Sequence, residues 1–158
     1  SHIGYNLKLT DMQAAIGLAQ LQKLDEFIDA RRSNYHYLYH NLQHLSDFLS
    51  LPEPAKNTTP SWFGFPIRVK KSSPLSLNDV VQNLNANNIG TRMLFGGNLT
   101  KQPLYSNAKF QIHESLTNTD TVMNNVFWLG VQPNLSESMR KFIVKTLSEI
   151  LLKEDFIV

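Results

Sequence analysis

Thr10-Asp11-Met12-Gln13-Ala14-Ala15-Ile16-Gly17-Leu18-Ala19-Gln20-Leu21 opens the stretch whose periodicity decides the fold. Thr10 or Asp11 offers a side-chain oxygen to the free amides of a first helical turn. Beyond it, Leu21, Leu24, Ile28, Tyr35, Leu38, Leu42 and Leu45 recur at alternating three- and four-residue steps, with Arg31 the one interruption. That heptad-like seam predicts one long helix, or two nearly collinear ones, over residues 10–45, buried along a single stripe. Ala14, Ala15, Gly17 and Ala19 keep the first turns small-sided, which lets another backbone approach closely.

Downstream the pattern changes period. Leu51-Pro52-Glu53-Pro54 ends the helical region and Asn57-Thr58-Thr59-Pro60 reads as a loop. Residues 61–69 read as a strand with Phe63, Phe65, Ile67 and Val69 on one face. Pro66 cannot donate to a ladder, so this strand is expected at an edge or with a bulge. Ser76-Leu77-Asn78-Asp79 starts a short helix burying Val80, Val81 and Leu84, and Asn87-Asn88-Ile89-Gly90 ends it. Residues 91–95 form a second strand, residues 118–125 a short helix and residues 126–131 a third strand. Ser136 caps a last helix with Met139, Phe142, Ile143, Leu147, Ile150 and Leu151 on its inner face. Short strands alternating with helices give an α+β fold, a small, mainly antiparallel sheet with helices packed against it; an open α/β sandwich is the alternative.

Composition narrows the function classes. The 158 residues, 42% hydrophobic and 18% charged, suit one ordinary folded domain. A net charge of +2 with scattered basic residues lacks the stripe that nucleic-acid binding needs. No run of about 18 apolar residues suggests a membrane span, and no secretory signal opens the chain. With Cys at 0, this chain holds no disulfide, thiolate metal site, cysteine nucleophile or iron–sulfur ligand, and a cytoplasmic setting is the expectation.

Several residue groups carry chemistry in principle. His36, His40 and His44 share a helix face, but no carboxylate accompanies them and they read as a solvated or interfacial face, so no metal site is expected. Asp25, Glu26 and Asp29 lie near Arg31 and Arg32 and read as surface charge pairs. Trp62 and Trp128 fall on predicted strands and read as core. Neither a Gly-x-Ser-x-Gly nucleophile motif nor a glycine-rich phosphate loop is present. Two clusters remain. Gly4-Tyr5-Asn6 is either an anion-competent turn before a helix start or an ordinary N-terminal turn. Gly96-Gly97-Asn98-Leu99-Thr100-Lys101-Gln102-Pro103, after a strand bearing Arg92, is either a binding loop for phosphate or carboxylate or a turn-rich connector.

Those clusters resemble the DegT/DnrJ/EryC/StrS family, enzymes that use pyridoxal phosphate on nucleotide-linked keto sugars. The resemblance runs through residues 1–21, 60–67, 89–103 and 116–128 in collinear order, and is greatest to the branch of CDP-4-keto-6-deoxyglucose 3-dehydrases of lipopolysaccharide synthesis. It implies that Asn6, with Tyr5 beside it, contacts the phosphate of a neighbouring subunit's cofactor in a homodimer. It implies that Arg92, Asn98 and Gln102 face the cofactor and the CDP-sugar. Thr100 stands where the aminotransferases of the family carry histidine, and Lys8 where many members carry arginine. Both departures suit the dehydrase branch over the aminotransferase branch.

By the same resemblance, the fold is that of the small domain of a fold-type I pyridoxal-phosphate enzyme. Residues 1–158 are then a C-terminal small domain that includes a linking helix over about 10–45. The cofactor-anchoring lysine, replaced by histidine in dehydrases that use pyridoxamine phosphate, belongs to an N-terminal domain, as do the iron–sulfur cysteines. No catalytic residue is expected in this chain, His2 included, and the chain alone is expected to be inactive. An iron–sulfur reductase is the implied partner. The rival outside the family is a non-catalytic helical module that dimerises through the seam from Leu21 to Leu45.

Overall fold

The computed structural model describes residues 7–152. Helix α1 spans Asp11–Leu21, and its capping box is built by Thr10 and Gln13: the Thr10 hydroxyl accepts from the Gln13 amide while the Gln13 side chain accepts from the Thr10 amide. Helix α2 spans Leu24–Asn41 and is followed by a 3-10 turn at Gln43–Leu45. Of the two arrangements expected, one long helix or two in succession, the structure has two, separated at Gln22 and Lys23 without glycine or proline. There the Lys23 amide donates to the Gln20 carbonyl at 3.0 Å, a tightened turn that ends the α-helical ladder.

The single buried stripe expected along this region holds for only half of it. Tyr35, Leu38, Leu42 and Leu45 are buried, whereas Leu21 is 63% and Leu24 45% exposed. Every residue of α1 is exposed.

Four antiparallel strands follow, β1 (Leu49–Ser50), β2 (Gly64–Val69), β3 (Thr91–Met93) and β4 (Val126–Gly130), in the spatial order β1-β2-β4-β3. Helix α3 (Leu77–Ala86) carries its own capping box from Ser76 and Asp79. Helix α4 (Thr117–Asn125) runs into β4, and α5 (Glu137–Leu152) closes the described chain, with the Ser136 hydroxyl accepting from the Met139 amide. The α+β expectation is met in this mainly antiparallel sheet. β2 lies between β1 and β4 with a continuous register to β4, rather than at the edge or with the bulge expected from Pro66; Pro66 is accommodated beyond the two residues paired to β1, where β2 has no neighbour on that side.

Strand alternation divides the sheet into two unlike faces. Phe65, Ile67 and Val69 of β2 and Phe127 and Leu129 of β4 point to one side, where they join Leu38 of α2, Val80 and Leu84 of α3, and Ile143, Leu147 and Leu151 of α5 in one core. Each such fully buried aliphatic or aromatic side chain stabilises the fold by roughly 1.5–3 kcal/mol relative to exposure. Asn34, buried at 3%, ties α2 to the turn after β4: its amide donates to the Gln132 carbonyl at 2.8 Å, and its carbonyl accepts from Arg140 at 3.3 Å. Val81 is only partly buried, and Met139 and Phe142 lie outside the expected core at 54% and 47% exposure.

Candidate functional site

The second face of the sheet is not covered by α2, α3 or α5. Arg92, Trp128 and Pro66 stand opposite one another across β3, β4 and β2, so their side chains leave this outer face in one row. The Trp128 ring lies over Gly64, where an added Cβ would come within 1.6 Å of Cε3. Glycine is required there so that the indole can lie down on the strand. The indole Nε1 donates to the Met93 carbonyl at 3.1 Å, which fixes the ring's direction. Phe63 and Phe95 flank it, with ring centroids 4.8 and 6.1 Å from the indole. Trp128 is thus an outer-face residue, contrary to the expectation that it is core. Phe63 also departs from its expected face, because the chain bends at residue 63 before β2 begins, leaving the ring 68% exposed. Trp62 does pack against the core, stacked on Tyr35 at 4.8 Å. Burial, then the nearby Tyr39 and Glu53, raises the Tyr35 phenol above its ordinary pKa, and its hydroxyl donates to the Pro52 carbonyl.

The loop after β3 is braced from within. Phe95 has φ of 51°, an uncommon conformation for a bulky residue, and its ring is 78% exposed. Gly97 follows at φ of 62°, where a Cβ would meet the Met123 side chain at 2.6 Å. Asn98, 2% exposed, holds the loop to α4: its Nδ2 donates to Asp120 Oδ1 at 2.7 Å, while its Oδ1 accepts from the Thr100 amide and hydroxyl at 3.1 and 2.7 Å. Lys101 Nζ reaches Asp120 Oδ2 at 2.9 Å. The hydrogen bonds from Lys101 and then Asn98 hold the Asp120 carboxyl below the ordinary carboxylate range. Gln102 donates to the Gly96 carbonyl and closes the loop on itself. The side chains of Asn98 and Gln102 therefore shape this loop, whereas the Arg92 side chain makes no hydrogen bond or ion pair with another described residue.

Two concavities meet at this loop. One, of about 180 Å³, is walled by Phe63, Pro66, Phe95 and Trp128; the other, of about 520 Å³, by Phe95, Gly97, Leu99 and Val122, and Leu94 and Phe95 border both. The donor set has definite chemical limits. Arg92 is exposed on this face, and a guanidinium's planar fork matches phosphate oxygens in geometry. Every described lysine is exposed except the half-buried Lys70, whose ammonium donates to the Ser46 carbonyl. No described lysine is thus enclosed as a covalent anchor for pyridoxal phosphate would be, so these residues fit the phosphate rim of a cofactor or substrate. Tyr5 and Asn6, the expected contacts of a neighbouring cofactor's phosphate, lie outside the described residues, as does His2.

The remaining candidates lie elsewhere. His36, His40 and His44 are exposed; His40 Nδ1 lies 2.7 Å from the His36 carbonyl and His44 Nε2 2.8 Å from Ser148 Oγ. Asp29 pairs with Arg32 at 3.9 Å on the surface. Sequence reasoning assigned no role to Phe63, Phe95 or Asp120. Phe63 was hidden by its fit to the strand alternation, and Asp120 by its distance from the loop it braces.

Residues 1–148 match the DegT/DnrJ/EryC1/StrS aminotransferase family. The chain is 47% identical over 149 residues to the lipopolysaccharide biosynthesis protein RfbH of Salmonella typhimurium, a match covering 94% of this chain and 34% of that protein. It is 41% identical over 153 residues to a dTDP-4-dehydro-2,6-dideoxy-D-glucose 3-dehydratase of Saccharopolyspora spinosa, covering 97% of this chain and 33% of the relative. Among solved structures, a GDP-4-keto-6-deoxy-D-mannose-3-dehydratase of E. coli with bound hydrated PLP superposes with a TM-score of 0.77 at 29% identity, over 94% of this chain and 36% of that one. The chain thus spans about a third of the length of the relatives it matches.

Proposed function

The chain belongs to the DegT/DnrJ/EryC1/StrS aminotransferase family, and from that premise we propose that it is the C-terminal small domain of a nucleotide-sugar 3-dehydrase. The substrate in this reading is a CDP-4-keto-6-deoxyhexose, and the product feeds dideoxysugar and O-antigen synthesis for lipopolysaccharide in the cytoplasm. The observation that carries it is the similarity, along nearly the whole chain, to a protein named a sugar 3-dehydratase. Thr100, at the position where the family's aminotransferases carry histidine, supports the same branch.

Pyridoxamine phosphate, when bound, supplies the electron sink through which the C3 hydroxyl is lost. This chain's residues bind and orient. Arg92 holds an anionic group of the substrate above the outer sheet face. Asn98, Thr100, Lys101 and Asp120 keep the following loop in one conformation, and Gln102 fixes its turn, so that the groups it presents need no reordering on binding. Asn6 and Tyr5 of one copy reach the cofactor phosphate of the second in a homodimer. In this reading the electrons that complete the deoxygenation come from a reductase partner through an iron–sulfur cluster, whose cysteine ligands would lie outside this chain, which has no cysteine.

The test uses the full-length protein loaded with pyridoxamine phosphate, a reductase and CDP-4-keto-6-deoxyglucose. Mass spectrometry is expected to show a sugar lacking the 3-hydroxyl. Transfer of an amino group from glutamate with the 3-hydroxyl retained would make it the aminotransferase instead. In the same protein, Asn6→Ala is expected to weaken cofactor retention in gel filtration, and unchanged retention would remove Asn6 from the phosphate site.

A further inference from the structure

We propose that Arg31 is a positioning residue for the outer-face concavity: from α2 it holds the two carbonyls at which the chain changes faces, and so sets Phe63 against Trp128. The inference rests on the reading above in which the substrate lies over this face, and it names a residue off the face on which the face depends. Arg31 stands at a seam position of the periodic run, between Ile28 and Tyr35, where the pattern calls for an apolar side chain. It does not form the surface charge pair expected of it. Arg32 takes Asp29, whereas Arg31 makes no ion pair among the described residues. Instead Nη1 of this half-buried arginine donates to the Trp62 carbonyl at 3.2 Å and to the Phe63 carbonyl at 3.4 Å. A leucine there would extend the seam without the desolvation that a half-buried cation carries, so these two bonds are what the arginine adds.

Those two carbonyls mark a slip in the strand alternation. Along an extended chain, successive side chains take opposite faces. Trp62 goes to the core side, stacked on Tyr35. Phe63 goes to the outer side, its ring centroid 4.8 Å from that of Trp128. Gly64 then lies on the outer side as well, under the indole, and Phe65 returns to the core. Two consecutive residues therefore share the outer face. The ladder to β4 begins only at Gly64, and no residue from 60 to 64 has a positive φ. Neither sheet pairing nor a special backbone conformation pins Phe63, and its ring is largely exposed. Arg31 bonds the carbonyls at the slip itself. Without those bonds Phe63 is free to leave Trp128, and the concavity of about 180 Å³ loses one wall. Arg32 provides the contrast: it donates to the Thr59 carbonyl at 2.9 Å, upstream of the slip, and holds the connecting loop rather than the segment that carries Phe63.

The experiment reads the indole N–H resonance of Trp128 in the 158-residue chain. Phe63→Ala is expected to shift it, because the neighbouring ring current is lost. Arg31→Met keeps an apolar stem and a good helix former, and circular dichroism checks that it folds. It is expected to shift the resonance in the same direction, and the two changes together to shift it no further than Phe63→Ala alone. Arg31→Lys is expected to return the resonance toward the wild type, since one nitrogen makes both bonds and an ammonium can take its place. Arg32→Met is expected to leave it nearly unmoved. In the full-length protein, Arg31→Met is expected to raise KM for the nucleotide sugar by roughly 2–10-fold, the range for loss of one aromatic contact, with little change in kcat. The proposal is overturned if Phe63→Ala moves the Trp128 resonance and Arg31→Met does not, if Arg31→Lys behaves as Arg31→Met, or if Arg32→Met moves it as far. A fall in kcat at unchanged KM would overturn it too, as the signature of a merely structural lesion. The resonance contains no turnover, and KM can be read on 3-deoxygenation or on amino transfer alike. Product identity therefore decides the dehydrase reading, and these measurements decide the role of Arg31.

Discussion

Helices α1 and α2 come from one continuous periodic run, yet they meet opposite fates. In α2 the inner residues Tyr35 and Leu38 are 3% and 0% exposed, sealed against the sheet and α5. In α1 nothing is buried, although Met12, Ile16, Leu18 and Leu21 stand 62–78% exposed and Asp11 is its one charged residue. α1 is also apolar on more than one side, since Ala14, Ala15 and Ala19 accompany the large side chains and Gln13 and Gln20 are its one other pair of polar side chains beside Asp11. A helix with that composition belongs inside a larger body. The difference teaches that periodicity encodes the wish to be covered, while the covering surface can lie in another part of the polypeptide or in another copy. For α2 that surface is in this chain. For α1 we place it in the remainder of the proposed longer enzyme, whose relatives are about three times this length.

The sharpest way to break the contrast is truncation on both helices. Leu38→Ala is expected to cost about 2–5 kcal/mol in urea unfolding, because a packed core collapses only partly around the cavity. Leu18→Ala in the same chain is expected to change stability by less than about 0.5 kcal/mol. Comparable losses would mean that α1 is packed after all. Next in size is Gly64→Ala, which drives a Cβ into the Trp128 ring and is expected to cost about 1–3 kcal/mol as an overpacked site. It should also shift the Trp128 indole resonance, which separates the outer face from the core.

Comparable in size is Asn34→Ala. It strips a buried bracket between α2 and the turn after β4, and leaves the Gln132 carbonyl without its partner, for about 1–3 kcal/mol of lost stability. The smallest effect is the pH response of the loop. Asp120 titrates below its unfolded value because Lys101 and Asn98 bond its charged form. The brace is therefore fully present above the unfolded carboxylate pKa of about 3.9, and is lost as pH falls through the lower folded value. The protection factor of the Thr100 amide, its exchange rate set against the intrinsic rate at each pH, is expected to fall through that window in the wild type. Asp120→Asn is expected to remove the dependence.

Much of this fold was readable. The capping boxes at Thr10 and Ser76 are local chemistry, and alternation in residues 64–69 and 126–130 is set by one buried face. β1 was not readable, because two residues contain no period and their pairing to Arg68 and Val69 is a tertiary fact. Nor was the helix break at Gln22 and Lys23, which no glycine or proline marks. Met139 and Phe142 matched the helical period of α5 but face outward beside Gly130 and Gln132 in a shallow groove. At the candidate site, the sequence pointed to Arg92, Asn98 and Gln102 as one group. The fold divides them: Asn98 and Gln102 spend their side chains on the loop, and the Arg92 side chain has no partner among the described residues. That division depends on Asp120 and Gly96, partners that no spacing rule connects to the loop residues.

Hydrogen exchange of α1 and α2 tests the central claim most directly, comparing this chain alone with the full-length protein. α2 amides are expected to be protected in both, while α1 amides exchange rapidly in the isolated chain and become protected in the proposed longer enzyme. Equal exchange of α1 in the two proteins would contradict it, because the apolar helix would then have no partner in the enzyme to which this chain is assigned.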